Sequence, residues 1–334
     1  MDFSQKVLQF IQKNNLIKAG GTIIVGVSGG ADSMSLIHVL VALRHKLGVQ
    51  LHVAHFNHHM RPEADKEEVF VKQWCLQHHV PVTVERRKGK RRLLSEDEAR
   101  QARFKFFIRL ATQIKAQSVA LAHTQNDLAE TVLMRLMRGS GLHGLRGILP
   151  IRSLEGIVFI RPLIATTRKD IEYYLKIHQT TFCTDSTNHK SVYLRNKVRR
   201  DLLPLLVKEY NPQIASVLVD LAATAQEDYG FLEECAQARF QRNVRVLKGS
   251  VKILLKNLKG EPISMRRLIL SQMAGVLTGD VAALTFDHIQ ALEDLVNKEC
   301  QSSVHLPHHL KAVKSLKFLE MMSSPSVFVG DPEV

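Results

Sequence analysis

A chain of 334 residues that is 45% hydrophobic is long enough for two domains and a sizeable core. No apolar run approaches a membrane span, and the first residues, MDFSQKVLQFIQKNNLI, alternate polar and apolar like an ordinary helix, so neither a membrane protein nor a signal peptide is expected and a cytoplasmic globular protein is. A formal net charge of +14 with only 6% aromatic residues favours a polyanionic partner, structured RNA or DNA gripped through its backbone and a few pockets, over extended base-stacking platforms.

Residues 2–18 read as a helix ended by Gly20 and Gly21. Thr22 to Val27 is β-branched and apolar like a buried parallel strand, and Met34, Leu36, Ile37, Leu40, Val41 and Leu43 recur at helical spacing. The stretch between them, Ser28-Gly29-Gly30-Ala31-Asp32-Ser33, is a strand-to-helix turn whose glycines permit positive φ and whose free N–H groups face outward at the positive end of the helix. Such a turn cradles phosphates. It has neither the Gly-Lys-Ser/Thr ending of a Walker loop nor the spacing of a dinucleotide fingerprint. Asp32 would repel a bare phosphate and makes sense as a Mg²⁺ ligand, the alternative being that Asp32 or Ser33 is simply the helix N-cap.

A second strand, 49–56, ends in HFNHHMR, and Pro62 with the acids after it opens a helix carrying Val69, Phe70, Trp74, Cys75 and Leu76. His52, His55, His58 and His59 lack a partner set for a metal and read as a strand end aimed into the cleft. A third strand, 80–85, precedes a basic loop from Arg86 to Arg92, six cations in seven residues that suit phosphate-backbone contact. Ser95 and Glu98 form a capping box for the next helix, which sets Arg100 and Arg103 on one face.

The fourth strand, 118–122, leads into His123 and a helix whose first turn carries Asp127 and Glu130 on one face, at the same sheet edge as the glycine turn. The pair reads either as N-terminal helix charges or as a cation site, for Mg²⁺ or an ammonium. The helix ends in RGSG, a second glycine-rich segment. Residues 157–160 fit a last strand and 167–178 a helix, before a second dense basic run from Arg195 to Arg200. Strands alternating with helices predict an α/β fold, a doubly wound, mostly parallel, Rossmann-like sheet with ligands at the strands' carboxyl ends.

Pro204 and Asn211-Pro212 punctuate the chain, placing the boundary at 1–210 and 211–334. The second domain reads as mainly helical (213–242, 262–277, 285–298), with a candidate strand at Val251 to Leu255 and a small terminal hairpin broken at Pro307. Cys75, Cys183, Cys235 and Cys300 are far apart, form no C-x-x-C pair, and read as buried small hydrophobes.

The SGGADS turn resembles the pyrophosphate (PP) loop of the N-type ATP pyrophosphatases. HTQNDLAETVLMRLMRGSGLHGLRGI, with HFNHHMR, EARQARF, IRPLI at 160–164 and TDSTN…YLRNKVRRDLLP at 184–204 in the same order, resembles the bacterial tRNA(Ile)-lysidine synthetases over most of the first 210 residues. Two departures are small: Asn126 stands where the family often has an acid, and Leu128 where it often has Gln.

The resemblance implies an ATP-dependent ligase that joins free L-lysine to the wobble cytidine of tRNA(Ile) with a CAU anticodon. It further implies that residues 28–33 bind ATP, that Asp32 handles Mg²⁺-pyrophosphate, and that Asp127 and Glu130 receive lysine. Arg100 or Arg103 and Arg195 would stabilise negative charge at the phosphates. The second domain would help hold the tRNA, no membrane partner is implied, and a homodimer is left open. A tRNA thiolase of the same superfamily would need a reactive cysteine pair or an iron–sulfur ligand set, for which Cys75 and Cys183 lack the local context.

Overall fold

The computed structural model describes residues 2–59, 63–87, 96–183 and 194–323. The chain divides into two compact units after Thr224.

In the first unit α1 (Phe3–Lys13) buries Val7, Leu8 and Ile11. It is followed by β1 (Thr22–Gly26), α2 (Ala31–Leu47), β2 (Gln50–Asn57), α3 (Glu63–Gln77), β3 (Val82–Arg86), α4 (Glu96–Gln113) and β4 (Ser118–Ala120). α5 (Gln125–Met137) starts on a capping box in which Thr124 and Asp127 bond each other's backbone N–H, and the short α6 (Leu142–Leu145) follows. β5 (Ile151–Leu154) and β6 (Ile157–Ile160) form a hairpin, and α7 (Arg168–Ile177) is capped by Thr167 and Asp170 in the same way as α5. α8 (Leu194–Lys197) runs through a π-helical turn, Val198–Leu202, into α9 (Leu203–Glu209).

The sheet order is β3-β2-β1-β4-β6-β5, every pairing parallel except β5 with β6. The chain therefore reverses direction across the sheet between β1 and β4, and the carboxyl ends of those two strands flank the crevice where such folds take ligands. Alternation along β1 feeds two cores. Ile23 and Val25 pack with α1, α2, α3 and α7 residues on one face, while Ile24 packs with Phe104, Phe106, Phe107 and Phe159 on the other. β5 lies outside the sequence expectation, which took 157–160 as the last strand and placed none before it. Its signal is the dipeptide Glu155-Gly156, both at positive φ, the two-residue turn that suits a twisted hairpin.

A third cluster joins α5 (Leu128, Val132, Leu133) to Val198, Leu203 and, beyond position 210, to Leu218 and Ala222. Those last two lie on the first turns of α10 (Ile214–Asn243), so the division falls inside that helix rather than at the prolines before it. Gly147, at φ +61°, sits against the same cluster, where a Cβ would come within 2.4 Å of Leu128 Cδ1. The Arg135 guanidinium donates to the carbonyls of Gly144 and Gly147, both at 2.9 Å. Gly144 and Gly147, in the stretch that follows RGSG, thus serve packing and clamping, whereas a Cβ at Gly139 or Gly141 would meet nothing within 4 Å.

The second unit carries β7 (Val244–Leu247), β8 (Ser250–Leu254), α11 (Leu255–Lys259), α12 (Ile263–Thr278), α13 (Phe286–Asn297), β9 (Ser302–Leu306), β10 (Leu310–Lys314) and β11 (Phe318–Ser323). The expected strand and hairpin are parts of one antiparallel sheet, ordered β7-β8-β11-β10-β9. One sheet face, with Val251, Ile253, Ala312, Leu319 and Met321, buries against Ile269, Leu270, Met273, Leu292 and Val296 of α12 and α13. These strands are short and half-exposed, so their alternation is readable only once register pairs them.

Candidate active site

The glycine turn after β1 is held by its own serines. Ser33 Oγ accepts from the Ser28 backbone N–H at 3.1 Å and donates to the Gly30 carbonyl at 2.9 Å, with Ser28 Oγ 3.1 Å away. Gly30 is the N-cap of α2, with Ala31, Asp32 and Ser33 in the first turn, so neither Asp32 nor Ser33 caps the helix. First-turn N–H groups have no carbonyl four residues back, and here they point at the sheet edge. Gly29 is at φ +94°, a conformation that L side chains rarely adopt, and its carbonyl accepts from the Cys183 N–H at 2.9 Å. The buried His55, one strand over, places Nδ1 2.8 Å from the Val27 carbonyl, a support for the turn from the histidine cluster.

Three helix N-termini meet at this edge. Asn126, at the start of α5, accepts the Arg168 backbone N–H from α7 at 3.0 Å, and the Gln125 N–H donates to the Thr166 carbonyl at 2.9 Å. An amide oxygen at position 126 serves this splice directly. Arg168 then reaches α2, its Nη1 2.6 Å from Asp32 Oδ1. Burial pushes the Asp32 carboxyl up, the Arg168 guanidinium pulls it down, and the Asp127 carboxylate pushes it up again, leaving it raised.

Asp127 and Glu130 face the same space and are bound by two arginines. Arg195 donates to Asp127 Oδ1 at 2.8 Å and to Glu130 Oε2 at 3.1 Å. Arg199 donates to Asp127 Oδ1 at 3.0 Å and to Glu130 Oε1 and Oε2 at 2.6 and 3.0 Å. Burial opposes ionisation of Asp127, but the Arg195 guanidinium, the Thr124 N–H and the Arg199 guanidinium outweigh it and hold the carboxyl below its usual range. The His123 imidazole, pushed down to about 3 by burial against the pull of Asp127, is neutral, and its Nδ1 is buried without a hydrogen-bond partner.

Arg100, on α4, holds its guanidinium carbon 4.7 Å from the Phe104 ring centroid, and its charge reaches His123. Burial, then the charges of Arg103 and Arg87, together push His58 down to about 4. Of the expected site residues, the structure brings Ser28, Gly29, Gly30, Ala31, Asp32 and Ser33 together with Asp127, Glu130 and Arg195, while Arg100 and Arg103 lie across the sheet edge on α4.

Arg168 is a site residue that sequence reasoning passes over. Its signal is its position one residue after the capping threonine of a helix that starts at the strands' carboxyl ends. Arg199 reads in sequence only as part of a basic run. Arg86 is taken by Glu68, its Nε 2.7 Å from Oε2, while residues 88–92 of that loop, the Ser95 cap and TDSTN lie outside the described residues. Of the cysteines only Cys75 is buried, its thiol pushed up to about 12 by burial; Cys183 and Cys235 are partly exposed and Cys300 is exposed.

Among the described residues no group of three or more His, Cys, Asp or Glu side chains could hold a metal ion. The carboxylate nearest the glycine turn is Asp32, on the first turn of α2.

The PP-loop domain family matches residues 1–206. The tRNA(Ile)-lysidine synthase of Geobacter sulfurreducens is 36% identical over 319 residues, 93% of this chain and 67% of the relative. That of Caldanaerobacter subterraneus subsp. tengcongensis is 31% identical over 343 residues, 97% of this chain and 73% of the relative. The chain belongs to the tRNA(Ile)-lysidine synthase family. A third member, from Clostridium perfringens, is 32% identical over 92% of this chain and 66% of its own length, so the chain spans about two thirds of the family members it matches. Among solved structures, the U34-tRNA thiolase NcsA from Methanococcus maripaludis with its [4Fe-4S] cluster superposes with a TM-score of 0.58 over 67% of this chain and 78% of its own, at 16% identity, a likeness of fold alone.

Proposed function

We propose that the protein ligates free L-lysine, through its ε-amine, to carbon 2 of the wobble cytidine in the CAU anticodon of tRNA(Ile), turning ATP into AMP and pyrophosphate and changing codon reading from AUG to AUA. The observation that carries this is the convergence of the SGGADS turn and the Asp127–Glu130 pair, close enough that Asp32 feels the charges of both Asp127 and Arg199. One half of the site suits a phosphate chain, and the other suits an ammonium.

The carbon 2 oxygen of cytidine is a poor leaving group until it is adenylated, so the cytidine oxygen first takes AMP from ATP and pyrophosphate departs. The lysine nitrogen then attacks carbon 2, and AMP leaves with the oxygen. The turn's N–H groups and the α2 N-terminus bind the phosphates being released. Mg²⁺, held through Asp32, would neutralise charge on the pyrophosphate. Lysine arrives protonated near neutral pH and must lose a proton before attack. Asp127 and Glu130 bind it as a cation. Before lysine enters, Arg195 and Arg199 satisfy those carboxylates, and a phosphate group entering beside Arg199 offers the guanidinium a second anion.

The test incubates the protein with radiolabelled lysine, ATP and a tRNA(Ile) transcript, and follows label in the nucleic acid together with AMP. Label in the RNA with equimolar AMP is expected; ADP with orthophosphate, or no label in the RNA, would overturn the reading.

A further inference from the structure

A cavity of about 260 Å³ lies beside the β5–β6 hairpin, lined by Arg100 and Gln101 of α4, Arg152 of β5, Arg161 just after β6, and the Phe104 and Phe159 rings. We propose that it is a phosphate pocket for the RNA substrate, taking a backbone phosphodiester close to the reacting nucleotide. The proposal rests on the reading above that the substrate is RNA.

Arg161 is the decisive residue. It is only 3% exposed, and among the described residues its side chain meets a backbone carbonyl rather than a carboxylate. Its Nη1 donates to the Leu149 carbonyl at 2.7 Å, while its Nε is buried with no partner. A neutral side chain would hold that carbonyl at lower cost, because burying an unpaired guanidinium is expensive. Burial and the nearby charges of Arg100 and Arg152 push Arg161 down to about 10, so three like charges converge on one cavity. Among the described lining residues the one acid, Asp97, is exposed.

A dianion or diester oxygen entering the cavity would relieve this repulsion. The two rings keep the local dielectric low, and guanidinium forks match phosphate oxygens. The cluster also continues outward, since Arg135 feels Arg152, Arg146, Arg100 and Arg138. The charges of Arg161 and of Asp127 both reach the buried His123, so the pocket and the acid pair share one electrostatic environment. A phosphate seated there belongs to the same stretch of RNA as the base being modified.

The experiment titrates an anticodon stem-loop of tRNA(Ile) by fluorescence anisotropy at several salt concentrations, against wild type, Arg152→Ser and Arg161→Gln. Each variant should bind about tenfold more weakly at low salt, the worth of one charge-assisted hydrogen bond, and flatten the slope of log K against log salt by roughly 0.7–0.9. The melting temperature should hold for Arg152→Ser and hold or rise for Arg161→Gln. Wild-type affinity and slope in Arg152→Ser would overturn the pocket even if Arg161→Gln failed to fold. Inorganic phosphate that raises the melting temperature of wild type but not of Arg152→Ser, with coincident RNA slopes, would assign the cavity to a free anion and also overturn it. AMP release by wild type with lysine and tRNA is measured in parallel. Its absence would sink the ligase reading, while a slope difference would still support an RNA phosphate pocket.

Discussion

Asp127 and Glu130 share one helix face but not one environment. The Glu130 side chain is 2% exposed and takes Nε from both arginines, whereas Asp127 is 14% exposed and offers Oδ2 to its own capping box. Removing Glu130 leaves two guanidinium groups to share Asp127 alone. Glu130→Ala is therefore expected to cost about 1–3 kcal/mol, the worth of lost charge-assisted hydrogen bonds, read as a fall in the urea midpoint. Asp127→Asn keeps the cap's geometry and loses the charge. It should raise the KM for lysine well above any change in the KM for ATP, with the melting temperature little altered. Loss of ATP affinity with lysine KM intact would make the pair metal ligands instead. In sequence the two acids are recognisable as an i, i+3 pair at a strand's end. That Arg195 and Arg199 close on them from a segment more than sixty residues away is not, because nothing local specifies which cations a long loop delivers.

At the scale of elements, α2 is fastened to α7 by a ring cluster with a titratable centre. His38 Nδ1 lies 2.8 Å from the Tyr174 hydroxyl, and its ring is 4.9 Å from that of His178 and 6.3 Å from that of His78. Burial, then the charges of His178 and His78, push His38 down to about 4. The unfolded chain protonates near 6.5, so between pH 6.5 and 4 it binds more protons than the folded one and stability falls as pH falls. Below about pH 4 both forms are protonated and the slope ends. His58 and His123, lowered by burial in the same direction, add to the effect. His38→Gln should make the urea midpoint decline less steeply over that window while changing it little at pH 8; parallel declines would mean that His38 is charged in the fold. The helices themselves are legible from caps and spacing, Thr124 and Thr167 above all. β5 is not, because four residues with three exposed carry no burial signal of their own.

For the whole molecule the excess of 46 basic over 32 acidic residues sets the partner class, and the structure divides the cations by role. Arg86, Arg168, Arg195 and Arg199 are engaged by acids, Arg135 and Arg161 by carbonyls. Lys88, Lys90, Arg91 and Arg92 of the basic loop remain candidates for direct phosphate contact. Replacing these four with Ser should leave the melting temperature nearly unchanged, since solvated cations contribute little to folding, and leave ATP affinity intact. It should weaken tRNA binding and flatten its salt dependence, by something under one unit for each phosphate that is no longer neutralised. Filter binding at several salt concentrations checks this; an unchanged slope would leave the Arg152–Arg161 cavity and the other arginines to grip the RNA.

The phosphate turn, the parallel sheet and the acid pair were determined by the sequence itself, because each is written in neighbouring residues: glycines where positive φ is needed, β-branched runs in buried strands, acids three apart. Register and long-range pairing belonged to the tertiary structure. The acids' arginine partners, the Arg168–Asp32 contact across helix N-termini, the burial of Arg161, the five-stranded second sheet and the division inside α10 all depend on which distant surfaces meet. That choice is made by packing and burial summed over the whole chain, and no short window of residues contains it.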